Sequence, residues 1–352
     1  SPPAETPLSR AMSVRFFAGR LPSCPRIGRR GPLRDDGYMP MTESNDVPAV
    51  LCLGEAMVAF APAGGSPGAA AAGAAAHPVA ESLAVCDQVQ LFVAGAEANV
   101  AIGLAEAGHR VEWFGRVGDD PFGARIRAHL GGRGVAVGAV IRDPDRPTGL
   151  YFKDRDGAHS TMYYYRRGSA ASAMGPADLE ALRLADRRLV HVSGITPALS
   201  PDCDALIAAV LEAAAGPPAV SFDVNYRAKL WPVNVAGPRL LTLARAATIV
   251  LVGRDEAETL WGAATPDEIR ALLPDVPTVV VKDADIGATE FSGAAGVFVP
   301  APQVEVVEPI GAGDAFAAGY LAGYLDGEGG SEARLLRGHS AAARVLGQIG
   351  DS

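Results

Sequence analysis

The sequence has few of the features that mark disulfide scaffolds, nucleic-acid-binding proteins or membrane proteins. It has four cysteines in 352 residues and no C-x-x-C pair, so we expect reduced thiols in a cytoplasmic protein rather than a disulfide framework or a metal site built on cysteine. The net charge is −9, and no basic block is longer than two residues, which argues against nucleic acid as a partner. No apolar run is long enough to form a membrane span.

The first 46 residues are rich in Pro, Arg and Ser and show no sustained apolar period. This composition predicts a disordered or spurious N-terminal extension. An Arg-rich start is also typical of a transit peptide, but Glu5, Asp35 and Asp36 argue against that interpretation. The chain starts without Met and stops at GQIGDS, so we expect it to be truncated at both ends.

A segment near the end, residues 304–325, reads VEVVEPIGAGDAFAAGYLAGYL. Alternating valines predict a strand, the turn of Gly311, Ala312 and Gly313 follows, and the rest predicts a helix. Such a turn leaves backbone N–H groups available for an anion such as phosphate. Asp314, in the first helical turn, would then accept the proton of a hydroxyl that attacks phosphorus. A capping role for Asp314 beside a purely structural turn is the alternative.

From residue 189 onward, predicted strands and helices alternate. Strands are expected at residues 189–192, 220–224, 249–252 and 278–282. The alternation predicts an α/β fold with a doubly wound, mostly parallel sheet and helices on both faces. Ligands bind beyond the carboxyl ends of the strands in such sheets. Three polar clusters follow the strands at these ends: Asp223, Asn225 and Arg227; Arg254, Asp255 and Glu256; and Lys282, Asp283 and Asp285.

The first half of the chain predicts a strand at residues 89–93 and a nearly apolar helix at about residues 97–107, opened by Gly95. Asn99 is a polar residue near the start of this helix and needs either a partner or a capping role. Residues 135–165 instead predict an antiparallel insertion of three short strands. In its last strand, Tyr164 and Arg166 share one face, for ligand binding or as solvated edge residues.

Two long motifs resemble the ribokinase-like (PfkB-type) carbohydrate kinases: GAEANVAIGLAEAGHRVEWFGRVGDDPFG at residues 95–123 and PIGAGDAFAAGYLAGY at residues 309–324. YYRRGSA and DVNYRAKLW are similar to the branch that phosphorylates 2-keto-3-deoxygluconate at its terminal hydroxyl. The resemblance implies a ribokinase-like domain over residues 47–350 with a small β-sheet lid, mainly from about residues 88–95 and 137–165. It also implies a homodimer or higher homo-oligomer formed through the lid.

The resemblance implies a role for each matching residue, with ATP and Mg²⁺ as the cofactors. Asp314 would be the general base, and Gly311, Ala312 and Gly313 would form the anion hole. The acid sugar would lie against Gly95, Asn99, Tyr151, Tyr164, Arg166 and Arg227. Lys282 and Gly287, with Gly311 and Gly313, would bind the nucleotide, and Glu256 would hold the magnesium ion through water.

The sequence departs from the family pattern at several positions. Ala94 replaces a usual glycine, Gly253 replaces the Asn of N-x-x-E, and Ala284 replaces a glycine of the nucleotide loop. Glu308 and Pro309 stand where many members have Asp and Thr, and the family's last strand or helix is expected to be missing. Two alternatives therefore stay open: a kinase of a neutral sugar such as fructose or ribose, and a sugar-acid binding or regulatory protein without activity.

Overall fold

Short runs of valine, leucine and isoleucine form most strands of this protein. The structure, a computed structural model, describes residues 49–63, 82–156, 159–213, 216–293, 295–304, 310–327 and 329–347. Its strands are β1 (Val50–Leu53), β2 (Met57–Pro62), β3 (Val89–Ala94), β4 (Val111–Phe114), β5 (Arg116–Gly118), β6 (Ile141–Asp143), β7 (Leu150–Asp156), β8 (His159–Tyr165), β9 (Leu189–Ser193), β10 (Ala219–Asp223), β11 (Ile249–Gly253), β12 (Thr278–Asp283), β13 (Gly287–Phe291) and β14 (Gly296–Pro300).

The central sheet has eight strands in the order β14-β13-β12-β11-β10-β9-β1-β4. Strands β4 to β12 of this order run parallel, whereas β13 and β14 continue antiparallel from β12 at one edge. The predicted doubly wound, mostly parallel sheet is thus confirmed. The carboxyl ends of its parallel strands lie along one rim, which is where such folds place their ligands.

Helices cover both faces of the central sheet. They are α1 (Ala96–Glu106), α2 (Pro121–Gly132), α3 (Pro201–Ala213), α4 (Val233–Arg245), α5 (Arg254–Trp261), α6 (Pro266–Leu272), α7 (Ala312–Leu325) and α8 (Ser331–Leu346). Because successive strand residues point to opposite faces, Leu51 and Leu53 pack with α3 to α6, while Val50 and Cys52 pack with α1, α2, α7 and α8. Strand β1 therefore contributes to two apolar cores.

A second sheet of four strands, in the order β3-β2-β7-β8, stands apart from the central sheet. We call it the lid. Strand β2 pairs antiparallel with β3 and parallel with β7, and β7 pairs antiparallel with β8. Side chains from all four strands form a small apolar cluster of Met57, Ala59, Phe92, Ala94, Tyr151, Met162 and Tyr164.

The lid uses partly different residues from those predicted. Strand β2 was not predicted, and residues 137–142 do not join the lid, because β6 pairs parallel with β5 in a separate two-stranded sheet. The prediction of a wholly antiparallel insertion was therefore wrong. Strands β4 and β5 are separated at Gly115, where a Cβ atom would lie 2.4 Å from the Trp113 ring.

Two predictions fall largely outside the described residues: the N-terminal extension, residues 1–46, and the strand at residues 304–307, of which Val304 alone is described. In the part of the chain that is described, no helix combines the length and apolar character needed to cross a membrane.

Candidate active site

The N-terminus of α7 reaches the carboxyl rim of the central sheet. Gly311 is the N-cap residue, with a φ of 82°, a left-handed conformation that glycine adopts without strain. Nearly all residues from Phe316 to the end of α7 are buried, so packing fixes the direction of the helix. The first-turn N–H groups have no partners within the helix, and the positive end of the helix dipole lies there. Together these features form a site for an anion.

Asp314, the third residue of α7, carries a carboxylate in the first turn of this helix. Asn99 on α1 donates a hydrogen bond from Nδ2 to Asp314 Oδ2 at 2.9 Å. Burial raises the pKa of Asp314 to about 7, against the hydrogen bond from Asn99; Asp223 raises it further, and Lys282 and Arg227 lower it. A carboxylate that titrates near neutral pH can accept a proton at physiological pH and release it again. Asn99 is not a capping residue, since Gly95 is the N-cap of α1.

Lys282, the next-to-last residue of β12, lies beside the same helix terminus. Its Nζ donates to Asp223 Oδ2 at 2.8 Å and would lie 3.9 Å from a Cβ atom on Gly313. Burial alone lowers the pKa of Lys282, but the negative charges of Asp223 and Glu256 outweigh it and keep the pKa above its usual value. The ammonium group is therefore a fixed positive charge next to the anion site.

Three oxygen-bearing side chains near Lys282 are candidates for a magnesium site. Glu256 accepts from the backbone N–H of Gly253 at 2.9 Å and of Tyr226 at 3.0 Å, and burial raises its pKa. One side-chain oxygen each of Asp223 and Asn225 is buried without a hydrogen-bond partner in the described part of the chain. The described residues contain no cluster of three or more metal-ligating His, Cys, Asp or Glu. This donor set fits Mg²⁺, which commonly uses few protein ligands together with phosphates and waters.

The predicted sugar-binding residues of the lid lie together at the end of β8. The rings of Tyr151 and Tyr164 lie 5.5 Å apart, and the Arg166 guanidinium lies 5.8 Å from the centre of the Tyr164 ring. Arg166 also forms an ion pair with Glu55, a residue between β1 and β2, and Ser169 donates to the same carboxylate at 2.8 Å. Only 9% of the Arg166 side chain is exposed, so it is not a solvated edge residue.

Arg227 lies on the loop between β10 and α4. It is exposed, and its Nη1 donates to the Tyr226 carbonyl at 3.2 Å. Its positive charge lowers the pKa of Asp314. Because Arg227 is exposed, its guanidinium is accessible to a ligand.

Two of the predicted glycines are required by close backbone packing. A Cβ atom on Gly95 would lie 2.5 Å from the Glu55 carbonyl, and one on Gly287 would lie 2.4 Å from the Val299 carbonyl. Gly95 therefore lets α1 begin against the segment between β1 and β2, which brings Asn99 to Asp314. Gly287 lets β13 pair closely with β14, which is reason enough for a glycine there.

A cavity of about 600 Å³ lies between α1, α7 and α8. Asn99 and Gly311 contribute to its lining, but Tyr151, Tyr164 and Arg166 do not. It is therefore distinct from the space under the lid where the sugar was predicted to bind.

Comparison with known proteins shows the family of this chain. Residues 50–352 match the pfkB family carbohydrate kinases. The chain belongs to this family. A 2-dehydro-3-deoxygluconokinase from Thermoproteus tenax is 38% identical over 267 residues, which cover 74% of this chain and 81% of the relative; 2-dehydro-3-deoxygluconate is another name for 2-keto-3-deoxygluconate. The resemblance inferred from the motifs is confirmed, and the protein is a carbohydrate kinase.

Solved structures of pfkB-type kinases share the fold. A PfkB protein from Polaromonas sp. JS666 has a TM-score of 0.73 at 32% identity, over 85% of this chain and 95% of that one. A fructokinase with bound ATP from Xylella fastidiosa has a TM-score of 0.72 at 23% identity, over 87% of this chain and 94% of that one. The second likeness shows the fold alone.

Some residues of this candidate site were not singled out as site residues from the sequence. Asp223 was noted in a polar cluster, but its pairing with Lys282 needs the neighbouring positions of β10, β11 and β12. Glu55 follows β1, and its ion pair with Arg166 joins residues 111 positions apart. The buried Glu97 accepts hydrogen bonds from Ser193 and Thr196 at 2.6 and 3.0 Å.

Proposed function

We propose that this kinase transfers the γ-phosphoryl group of ATP to the terminal hydroxyl of 2-keto-3-deoxygluconate. The observation that carries the proposal is the position of Asp314. This half-buried carboxylate, with a pKa raised to about 7, stands at the N-terminus of α7 beside the ammonium group of Lys282. A base adjacent to an anion site serves a reaction in which a hydroxyl attacks a phosphate.

In the proposed reaction, Asp314 accepts the proton of the sugar hydroxyl as its oxygen attacks the γ-phosphorus. The new O–P bond forms as the bond from the γ-phosphorus to the bridging oxygen of ADP breaks. The first-turn N–H groups of Gly311, Ala312 and Gly313 and the charge of Lys282 would stabilise the phosphoryl oxygens. Bound Mg²⁺ would neutralise phosphate charge, held by Glu256 through water and by the oxygens of Asp223 and Asn225.

Two arginine side chains would bind the carboxylate of the sugar acid from opposite sides of its pocket. Arg166 comes from the lid and Arg227 from the loop after β10, and guanidinium groups bind carboxylates through paired, charge-assisted hydrogen bonds. Tyr151 and Tyr164 would provide the apolar wall, with Gly95 and Asn99 on the opposite side. The similarity to the Thermoproteus tenax relative supports this substrate.

The nucleotide is proposed to lie along the rim near β12 and β13. Lys282 faces the α7 terminus, where the transferred phosphate would lie, and Gly287 with the residues after Val299 would border the rest of ATP. The likeness to a fructokinase with bound ATP supports a nucleotide site in this fold.

A homodimer formed through the lid is part of the proposal. Tyr163 and Tyr165 are 51% and 66% exposed on β8, and large exposed aromatic side chains are enriched at protein interfaces. The cytoplasmic location remains a prediction from the cysteine content.

One observation favours phosphorylation of a neutral sugar instead. Arg166 already has a carboxylate partner in Glu55, which leaves Arg227 as the more accessible guanidinium. A protein that binds sugar acid without catalysis has no use for a base at the anion site, so Asp314 argues against the binding protein.

A coupled ADP-release assay with MgATP tests these proposals. We expect kcat/KM for 2-keto-3-deoxygluconate to exceed the values for fructose and ribose by about 100-fold, as expected for one or two charge-assisted hydrogen bonds. Faster turnover of fructose or ribose would overturn the acid substrate and leave the kinase. Binding of the acid by calorimetry without any turnover would overturn the kinase mechanism.

A further inference from the structure

Strand β8 is an edge strand of the lid, and it lies beside the predicted sugar pocket. In the lid order β3-β2-β7-β8, strand β8 has β7 on one side, and no other described strand pairs with its second edge. The same strand carries Tyr164 and leads directly into Arg166. The position of this edge therefore decides where two of the proposed sugar contacts lie.

Lys229 connects this edge to the body of the protein. Its Nζ donates a hydrogen bond to the Met162 carbonyl at 2.8 Å, so a charged donor satisfies a backbone acceptor on the edge strand. The same Nζ lies 5.9 Å from the centre of the Tyr164 ring, within the range of a cation–π interaction. One side chain thus contacts both the backbone and a ring of β8.

The loop that carries Lys229 is itself fixed to the central sheet. The backbone N–H of Tyr226 donates to Glu256 at 3.0 Å, and the N–H of Leu230 donates to the Arg227 carbonyl at 2.9 Å, which closes a turn around Lys229. The Tyr226 hydroxyl donates to the Trp231 carbonyl at 3.2 Å. Lys229 therefore extends from a folded loop that starts at the carboxyl end of β10, where Asp223 lies.

The charges around Tyr164 come from both sides of the pocket. The Arg166 guanidinium lies 5.8 Å from the centre of the Tyr164 ring, close to the distance of Lys229. The anionic partner of Arg166 is Glu55, and Arg227 adds a further positive charge on the loop of Lys229. Shortening or removing Lys229 would change both the distance between lid and loop and the positive charge of the pocket.

We propose that Lys229 is a positioning residue that ties the free edge of the lid to the loop after β10 and thereby sets the place of Tyr164 and Arg166 opposite Arg227. The tie between lid and loop does not depend on the substrate. Its effect on a sugar acid rests on the proposed function.

The test compares Lys229→Met and Lys229→Arg with the wild-type enzyme and with Arg245→Met. Arg245 is a matched control, because it is an exposed cation that donates to a backbone carbonyl, that of Leu272, at 3.1 Å, on α4 rather than at the lid. Hydrogen exchange of the backbone amides of residues 161–166 reports on the lid. Steady-state kinetics reports KM for the sugar and for MgATP, and kcat.

For Lys229→Met we expect faster exchange at residues 161–166 and a rise of about five- to tenfold in KM for 2-keto-3-deoxygluconate, the size expected for one exposed charge-assisted hydrogen bond. KM for MgATP and kcat should stay within about twofold, because the loss concerns sugar binding. Lys229→Arg should restore both readouts, since arginine also donates to a carbonyl and stacks on a ring. Arg245→Met should change neither.

Three results would overturn the proposal. Unchanged exchange with an unchanged sugar KM means that Lys229 ties nothing. A higher sugar KM with unchanged exchange means that it acts on the ligand directly, and faster exchange with an unchanged KM means that the tie does not position the sugar contacts. If the wild-type enzyme prefers a neutral sugar, the proposed substrate fails instead, and the same two readouts with that sugar still decide the role of Lys229.

Discussion

Replacing Asp314 with asparagine removes the negative charge of the carboxylate and leaves a side chain of nearly the same shape. Asn99 donates to Asp314 Oδ2 at 2.9 Å, and the amide oxygen of an asparagine can accept the same bond. The variant should therefore keep the sugar and nucleotide contacts but lose the group that accepts the hydroxyl proton. General-base catalysis contributes about 10² to 10⁴ in rate, so we expect kcat to fall by about 10³, or about 4 kcal/mol in the activation barrier.

The pKa of Asp314 predicts the pH dependence of the wild-type enzyme. Burial raises this pKa to about 7, and the base acts in its ionised form. The value of kcat/KM should therefore rise with pH, reach half of its plateau near pH 7, and fall about tenfold per pH unit below that. The Asn variant should lack this limb, because its side chain does not titrate.

The same shift predicts an effect on stability. The pKa of Asp314 is raised in the folded state, so the folded protein binds more protons than the unfolded one between the ordinary value of 3.8 and about 7, and stability falls as pH rises through that window. A shift of about three units equals about 4 kcal/mol at most. Because the side chain is partly exposed, solvent screening reduces this value, and we expect Asp314→Asn to raise the free energy of unfolding by about 1–2 kcal/mol above pH 7.

The assays are steady-state kinetics from pH 5.5 to about 9 and thermal unfolding of the unliganded protein at both ends of that range. Asp326→Asn is the control, since Asp326 is the C-cap residue of the same helix and pairs with Arg337 at 2.7 Å. A kcat for Asp314→Asn within about tenfold of the wild type would refute the role of Asp314 as general base. A lower melting temperature above pH 7 would refute the electrostatic argument, whatever the kinetics.

Three further substitutions test other parts of the site. Arg227→Ala should raise KM for the sugar acid about tenfold, with Arg245→Ala as control, through loss of a charge-assisted bond; an unchanged KM contradicts the assignment. Lys282→Met should lower kcat about 100-fold and move the midpoint of the pH profile above 7, because Lys282 lowers the pKa of Asp314. An unchanged midpoint would mean that the charge of Lys282 does not act on Asp314. Ala284→Gly should raise the free energy of unfolding by about 1 kcal/mol, measured by thermal unfolding, because Ala284 has a φ of 43°. Ala264→Gly is the control and should lower it, because Ala264 does not have a positive φ.

Periodicity and turn residues were sufficient to predict β9, β10, β11 and β12 of the central sheet and its alternation with helices, but not the antiparallel edge strands β13 and β14. The strand runs ending at Ser193, Asp223, Gly253 and Asp283 are short, apolar and followed by loops or helices, a pattern that predicts a parallel sheet. The glycine turn before Asp314 likewise predicted a helix start, and α7 begins at Ala312. Local signals of this strength depend on residues close in sequence.

The elements that were missed depend on contacts between distant residues. Strand β2 exists because Val58 and Phe60 pair with β3 on one side and β7 on the other, and a run of six residues after a glycine turn gives no sign of those partners. The pairing of Arg166 with Glu55 and of Lys282 with Asp223 requires knowing which strand ends are neighbours. Side-chain chemistry was readable in the sequence, but the choice of partner was not.

The departure at Gly253 is less damaging to the site than the sequence indicated. Glu256 is oriented by the backbone N–H of Gly253 at 2.9 Å, so its direction does not need an asparagine side chain at that position. A Cβ atom on Gly253 would lie 2.8 Å from Asp255 Oδ1 and 3.1 Å from Glu256 Oε2, so an asparagine would displace these carboxylates. The unpaired, buried amide oxygen of Asn225 lies on the loop whose Tyr226 N–H also holds Glu256. A segment that contacts Glu256 therefore still carries an amide oxygen, supplied by the loop after β10 rather than by the end of β11.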